Sequence, residues 1–267
     1  MTRIKPLQII AALAGLIAIA GCDWNWGVDI VGRPAEELEP NPTVRWGGVV
    51  LAPEHRAMRN PRSDVEKVSE IAWPRVAQAP SPELGARIGA ALDLRSVLGF
   101  SLDDHRREIE RDESLDVDIS YSVPFHRENL LDVSFLYVTQ GGGAARINQR
   151  DVLLDLRTGR QLHARDLFVA SRMPELARLV DERMQAEIAA ARARGGWSDA
   201  DFLDDAGRLK HFGPADLERF SLGDRGITFS FEFEPPPYQR LPGDYLLTSA
   251  ELRPFLRPDG PLAAIVR

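Results

Sequence analysis

Alternating apolar and polar residues predict strands in the middle of the chain. From Val117 to Phe125 every second residue is apolar, and the residues between them are polar as far as Ser122. The same alternation returns from Leu131 to Tyr137, after a short polar turn. A period of two with one polar face is typical of antiparallel strands in a sheet that is covered on one side. Similar runs predict further strands at 46–51, 65–73, 152–156, 227–233 and 245–247.

Apolar residues at three- and four-residue spacing predict helices between these strands. Ser81 followed by Pro82 forms a helix start, because serine caps the free N–H groups and the fixed φ of proline suits the first turn. Ser101 and Ser249 are predicted to cap two shorter helices. Helices are thus predicted at 81–98, from 101, at 174–194 and from 249.

The predicted strands and helices occur in groups rather than in strict alternation. Grouping of this kind favours an α+β fold over a parallel α/β fold. We therefore expect antiparallel sheets with helices packed on one face. Two related or adjoining halves are predicted, an N-terminal α+β half at 46–158 and a C-terminal domain at 159–267.

The start of the chain has the pattern of a targeting signal. Arg3 and Lys5 precede a run from Leu7 to Ala20 that is almost entirely apolar. This run is shorter than the roughly 20 residues that a membrane-spanning helix needs, so a secretory signal peptide is favoured. The sequence Ile19-Ala20-Gly21-Cys22 resembles the lipobox of bacterial lipoproteins. An ordinary cleavable signal with a chance cysteine is the alternative.

The resemblance to a lipobox implies lipidation of Cys22. In such lipoproteins the leader, here residues 1–21, is removed and the cysteine carries diacylglycerol and a further acyl chain such as palmitate. Residues 22–45 are rich in proline and acidic residues, which predicts a tether. The protein is then expected at the cell membrane, facing the periplasm or the cell exterior. Asp23 resembles an inner-membrane retention signal, which favours the inner over the outer membrane.

Charge and cysteine content restrict the possible partners. Removal of residues 1–21 takes away Arg3 and Lys5 and no acidic residue, so the net charge changes from −7 to −9. An acidic domain of this kind argues against nucleic-acid binding. Cys22 is the only cysteine, so its lipidation leaves no thiol for a disulfide, a zinc site or a nucleophile.

A block of residues in the second half resembles a known family. Asp155-x-x-Thr158-Gly159-x-x-Leu162-x-x-x-Asp166-Leu167-Phe168 is similar to a block in a bacterial extracytoplasmic domain of unknown function. The pattern Gly226-Ile227-x-Phe229-x-Phe231, then Tyr238 and Gly243, follows in the family's order. The domain occurs in lysozyme-sensing anti-sigma factors of the RsiV type and beside the catalytic domain of some peptidoglycan deacetylases. Residues 65–139 resemble the segment that usually precedes it.

The resemblance implies an α+β fold that binds a protein such as lysozyme, and it does not imply catalysis. One position departs from the family's pattern. The family often has histidine after Gly-Gly-Ala, whereas Ala145 follows Gly142-Gly143-Ala144 here. Any role of that histidine is therefore absent from this chain.

Two acidic clusters are candidates for metal ligands, and both have a simpler interpretation. Asp103 and Asp104 fall in the first turn of a predicted helix, where carboxylates favour the helix dipole, and His105 shares the apolar stripe of that helix. The aspartates at 201, 204 and 205 lie in a polar stretch that predicts a solvated loop. Neither cluster has the His spacing of a zinc site. We expect no metal, no cofactor and no catalytic residue.

The loop after the strand at 227–233 is a candidate contact surface. Pro236, Pro237 and Tyr238 lie in it, and prolines lower the cost of ordering a binding loop. Termination of the strand is the alternative role of these prolines.

The sequence favours a lipid-anchored, non-catalytic envelope protein. Its expected partners are the membrane, through lipid on Cys22, and a protein such as a lysozyme-type hydrolase or peptidoglycan. A cell-wall or glycan hydrolase with dispersed carboxylates and an envelope-stress sensor remain the alternatives.

Overall fold

The computed structural model describes residues 38–59, 68–111, 116–140, 146–195, 198–233 and 243–263. The leader, Cys22, Ala145 and the loop with Pro236, Pro237 and Tyr238 lie outside these ranges. In the described part of the chain, no helix has both the length and the apolar character needed to cross a bilayer.

The first half forms a seven-stranded sheet whose strands follow one another in chain order. Neighbouring strands pair antiparallel except β3 and β4, which run parallel and register at Ile71 and Ile119. The parallel step exists because a helical segment carries the chain from the end of β3 back to the start of β4. The strands are β1 Val44–Trp46, β2 Val49–Arg59, β3 Val68–Gln78, β4 Asp116–Arg127, β5 Leu130–Gln140, β6 Arg146–Asp155 and β7 Arg160–Gln161.

The helical segment between β3 and β4 contains three helices: α1 Pro82–Ala91, α2 Leu94–Leu98 and α3 Leu102–Arg111. The single helix predicted to Leu98 is therefore wrong. Asp93 accepts a hydrogen bond from the backbone N–H of Arg95 at 3.0 Å, which starts a new helix at that point. The predicted cap at Ser101 is confirmed, because its hydroxyl accepts from the N–H of Asp104 at 3.2 Å.

The second half contains a long helix and a three-stranded sheet in the order β10-β9-β8. Its elements are α4 Ala164–Leu167, α5 Met173–Arg194, β8 Phe220–Gly223, β9 Gly226–Ser230, β10 Asp244–Thr248 and α6 Ser249–Leu252. Strand β8 is not predicted by the sequence pattern, and β9 ends at Ser230 rather than at Phe233. The cap of α6 is Thr248, whose hydroxyl accepts from Glu251 N–H, and not Ser249 as predicted.

The large sheet is buried on both faces at one end, because two hydrophobic cores lie on opposite sides of it. Leu131, Val133 and Phe135 of β5 belong to the core beneath α1, α2 and α3, whereas Leu130 belongs to the core of the second half. On β4 a register shift between Ser122 and Phe125 moves the side chains from one core to the other. The α+β class with two adjoining halves is thus confirmed.

Part of the predicted tether contacts the sheet. Asn41 pairs with Tyr121 of β4: its backbone N–H donates to the Tyr121 carbonyl at 2.7 Å, and its side-chain oxygen accepts the Tyr121 N–H at 2.9 Å. The Tyr121 hydroxyl donates to the carbonyl of Pro42 at 2.7 Å. The fold therefore starts several residues before Trp46, the predicted first residue of the N-terminal half.

Candidate functional site

The family-like block at 155–168 begins as a tight turn between β6 and β7. The Asp155 carboxylate accepts the N–H of Arg157 at 3.0 Å, and its carbonyl accepts the N–H of Gly159 at 2.7 Å. Gly159 has a positive φ of 70°, and a Cβ there would lie 3.2 Å from the carbonyl oxygen of Leu84 in α1. Glycine is therefore required both by conformation and by the close approach of α1. These residues build the turn and leave no group free for chemistry.

The rest of the block fixes α4. Asp166 accepts the backbone N–H of His163 at 2.9 Å and pairs with Arg160 at 3.0 Å. Leu162, Leu167 and Phe168 are buried in the core of the second half. The block is therefore a structural unit that sets the direction of the chain where the two halves meet.

A cleft of about 500 Å³ lies at this meeting point, and we call it the junction cleft. The first half contributes α2, β6 and β7, and the second half contributes α4 and the 3₁₀ turn before β8. The residues that line it are Ser96, Val97, Arg150, Asp151, Val152, Gln161, His163, Arg165 and Glu218. Clefts between packed units are common binding sites, because both units supply side chains.

Most charged groups in the junction cleft are held by partners. His163 Nδ1 lies 3.1 Å from Glu218 Oε2, and this oxygen also accepts the N–H of Ala164 at 3.4 Å. Arg150 donates to Glu232 at 2.6 Å. These contacts fix the position of the charges before any ligand arrives, which lowers the ordering cost of binding.

Arg165 is the exception in the junction cleft. Its side chain is exposed, and among the described residues it has neither a hydrogen-bond nor an ion-pair partner. Arginine side chains without a partner are common at surfaces, but this one lies at the edge of a cleft to which both halves contribute.

A pair of carboxyl groups connects the junction cleft with the interior. Asp132 of β5 is 0% exposed and Asp151 of β6 is half-buried. Asp151 lies opposite Ser134 in the β5–β6 ladder, so it is the diagonal neighbour of Asp132 on the same sheet face. Two negative charges this close oppose each other's ionisation.

Burial raises both pKa values of this pair. The pKa of Asp132 is raised to about 8, first by burial and second by the charge of Asp151. The pKa of Asp151 is raised to about 6, again mainly by burial, although the hydrogen bonds from Ser134 and Gln149 lower it. A carboxyl that is neutral near pH 7 can remain buried without a positively charged partner.

A second cleft of about 400 Å³ lies between β2, β3 and the helices of the first half. Trp73 forms part of its wall, and the guanidinium of Arg56 lies 5.6 Å from the centre of the indole ring. This stack is a cation–π contact that occupies one face of the ring. The second cleft is smaller than the junction cleft and is formed by the first half alone.

The structure separates the acidic residues that the sequence places together. Asp104 caps α3, Asp103 lines the second cleft, and His105 is completely buried. Asp201 accepts the N–H of Ser198 at 2.7 Å, and Asp204 pairs with a neighbouring arginine. Within the described ranges, no group of three or more His, Cys, Asp or Glu side chains is placed to hold a metal ion.

The sequence pattern does not identify the residues of the junction cleft. They come from five separate elements between positions 96 and 218, and none of them stands in a motif with a chemical role. Asp132 carries a weak signal, since its neighbours Leu131 and Val133 are buried on the other face. However, the alternation indicates only that Asp132 points away from the first core, not that β8 covers it.

Comparison with known proteins gives structural relatives only. No family profile matches the sequence, and no curated protein matches it. A crystal structure of a DUF3298 family member from Bacteroides fragilis NCTC 9343 superposes with a TM-score of 0.54 at 15% identity, covering 86% of this chain and 98% of that one. A DUF3298 family protein from Pseudomonas aeruginosa PAO1 gives 0.53 at 15% identity, covering 78% and 95%.

Both structures carry the name of a domain of unknown function, in agreement with that part of the resemblance found in the sequence. At this level of identity the likeness establishes the fold and no activity. The chain therefore has the fold of the DUF3298 structures, with two α+β halves that meet at the junction cleft.

Proposed function

We propose that the protein is an envelope lipoprotein, anchored by lipid on Cys22, whose α+β domain of the RsiV type binds a cell-wall or protein ligand without catalysis. The junction cleft is the observation that carries this proposal. It has the volume of a small-ligand site, about 500 Å³, and most of its charged groups are already held by internal contacts. We favour peptidoglycan as its ligand, because a cleft of this size accommodates a sugar–peptide fragment.

Binding of a protein is the second form of the proposal. The acidic charge of −9 that would remain after cleavage favours a cationic partner, and a lysozyme-type hydrolase is such a protein. The resemblance to lysozyme-sensing domains supports the same partner. A contact of this kind would extend over the surface and would weaken as salt is added.

One experiment separates these ligands. The full-length protein in detergent is mixed with purified peptidoglycan sacculi, which are then sedimented, and in parallel with a lysozyme-type muramidase whose activity is measured. Co-sedimentation supports the cell-wall ligand, and salt-sensitive inhibition of the muramidase supports the protein ligand. If neither occurs, the binding function is wrong.

A hydrolase is the alternative that one specific observation favours. Asp151 and Glu218 both line the junction cleft. The pKa of Asp151 is raised, as is that of the carboxyl that acts as general acid in glycosidases. However, Glu218 is already held by His163 and the N–H of Ala164, so it is poorly placed to activate a water. Release of soluble muropeptides from sacculi by wild type, and its loss in Asp151→Asn, would replace the binding proposal with catalysis.

A further inference from the structure

We infer that the junction cleft receives an anionic group of its ligand, a carboxylate or a phosphate, on the guanidinium of Arg165, with Ser96 and Gln161 forming hydrogen bonds beside it. This inference rests on the proposed function, because it assumes that the ligand enters this cleft. It adds the chemical class of the group that is recognised and the residues that recognise it.

Charge pairing within the cleft identifies Arg165. The other ionic or ionisable side chains that line the cleft each have a protein partner, so their polar atoms are less available to bind a ligand directly. Among the described residues, Arg165 alone of this lining set lacks one. The partnered groups are Arg150 with Glu232, His163 with Glu218, and Asp151 with Gln149.

The backbone around Arg165 is fixed, although its side chain is exposed. Ala164 and Leu167, which flank it in α4, are both 0% exposed, and Asp166 caps the helix through the N–H of His163. The backbone from which the Arg165 side chain extends is therefore held in place at the edge of the cleft. Its planar donors match the two oxygens of a carboxylate or a phosphate, which bind it in bidentate fashion.

Neutral polar groups also line the cleft. The hydroxyl of Ser96 on α2 and the amide of Gln161 on β7 contribute to it, and neither has a side-chain partner among the described residues. Both can donate and accept, as the amides of a peptide or the hydroxyls of a sugar require. Val97 and Val152 provide the apolar part of the wall.

The acids of the cleft favour a singly charged group. Asp151 and Glu218 lie on the same lining surface as Arg165 and repel a second negative charge. A carboxylate carries one charge, whereas phosphate carries nearly two at neutral pH. We therefore expect a peptide carboxylate, such as that of a peptidoglycan stem peptide, to bind more tightly than phosphate.

The test uses the full-length protein in detergent and three probes: N-acetylmuramyl-L-alanyl-D-isoglutamine, which has one free carboxylate, its methyl ester, and inorganic phosphate. Binding is measured by isothermal titration calorimetry for wild type, Arg165→Gln and the control Arg106→Gln. Arg106 is exposed on α3 and lines neither cleft, and its substitution changes the charge by the same amount. Loss of a charged hydrogen-bond pair should weaken binding of the free acid by about 10- to 100-fold in Arg165→Gln and leave Arg106→Gln unchanged.

The outcomes separate the inference from the proposed function. If wild type binds the methyl ester more weakly than the free acid, a carboxylate site is supported. If wild type binds phosphate and Arg165→Gln does not, the same site is supported, with phosphate as the anion that it binds. If sacculi bind wild type and Arg165→Gln equally well, the proposed function stands and the role of Arg165 is overturned. If sacculi, muramidase and all three probes fail to bind wild type, the proposed function itself is overturned.

Discussion

The carboxyl Oδ2 of Asp132 in β5 lies 2.6 Å from the backbone nitrogen of Leu222 in β8. The same oxygen accepts the hydroxyl of Ser221 at 2.8 Å, whereas Oδ1 has no hydrogen-bond partner among the described residues. This contact joins the large sheet to the second half at residues that are almost completely buried. Buried polar contacts of this kind fix the relative position of two elements rather than adding much net stability.

Stability should fall as the pH rises toward the pKa of Asp132. The pKa is about 8 in the folded protein and near 3.8 in an ordinary aspartate, so between these values the folded state binds more protons than the unfolded state. The free energy of unfolding then decreases with pH, by up to about 1.4 kcal/mol per unit for one proton, and the decrease ends above pH 8. Urea denaturation at pH 5, 7 and 9 measures this slope.

Asp132→Asn is the matched variant for this slope. The amide keeps an oxygen that accepts from Ser221 and Leu222 but cannot ionise. We expect the variant to be more stable than wild type at pH 9 and to lose part of the pH dependence between 6 and 8. Equal slopes in the two proteins would show that Asp132 is already ionised in the folded protein throughout this range, which would contradict its raised pKa.

His105 should destabilise the protein in acid. Its ring is 0% exposed, and the ring centre lies 5.3 Å from that of Phe100. Its Nδ1 lies 3.7 Å from Oε2 of Glu108, beyond hydrogen-bond distance, and neither ring nitrogen has a hydrogen-bond partner among the described residues. Burial lowers the pKa of His105 below 6.5, so the unfolded state binds the proton more readily, and stability is lost as the pH falls below that value. His105→Leu should raise the free energy of unfolding by about 1 kcal/mol at pH 5.

The exposed His55 provides the control for His105. His55→Leu replaces a histidine whose side chain is in solvent, so the free energy of unfolding should change by less than about 0.5 kcal/mol at pH 5. A gain at pH 5 that is the same for both variants would contradict the assignment to burial.

The spacing of apolar residues along the sequence predicts the strands and helices that bury one regular face. The strand pair β4–β5 and the long helix α5 are found at the predicted positions, because their apolar residues repeat with a strict period. Strand β8 is missed for the opposite reason. It has four residues, all buried, so no alternation exists from which a strand could be predicted.

The candidate site depends on contacts that no local pattern contains. Asp132 stands at a polar position of an alternating strand, and only the packing of β8 on that face turns a solvent-facing residue into a buried one. Arg165 and Ser96 are brought to the same cleft because β6 and β7 connect the halves there. Long-range packing of this kind, rather than local propensity, determines the site.

Two glycines in regular elements should respond in opposite ways to alanine. A Cβ at Gly226, at the start of β9, would lie 2.0 Å from the carbonyl oxygen of Leu247 in β10. Gly226→Ala should therefore push the strands apart and lower the free energy of unfolding by about 3 kcal/mol or more. At Gly89 in α1 no atom lies within 4 Å of such a Cβ, so Gly89→Ala should stabilise the helix by about 0.5–1 kcal/mol. Thermal and urea unfolding of both variants measure the difference, and a loss in Gly89→Ala similar to that in Gly226→Ala would contradict it.

Lipid on Cys22 is predicted to anchor the protein at the cell membrane. Each buried CH₂ of an acyl chain contributes about 0.8 kcal/mol to membrane binding, and two or more chains anchor a protein stably. Cys22→Ala removes the acceptor thiol, so the protein should lose metabolic labelling by palmitate and should either leave the membrane fraction or remain uncleaved.

Asp23→Ser is the control, because it keeps the thiol and changes only the predicted retention signal next to it. This variant should remain labelled, and a shift from inner to outer membrane fractions would support the retention signal. Wild type that carries no palmitate and is recovered in the soluble fraction would contradict the lipid anchor, and the junction cleft would then belong to a protein that is free in its compartment.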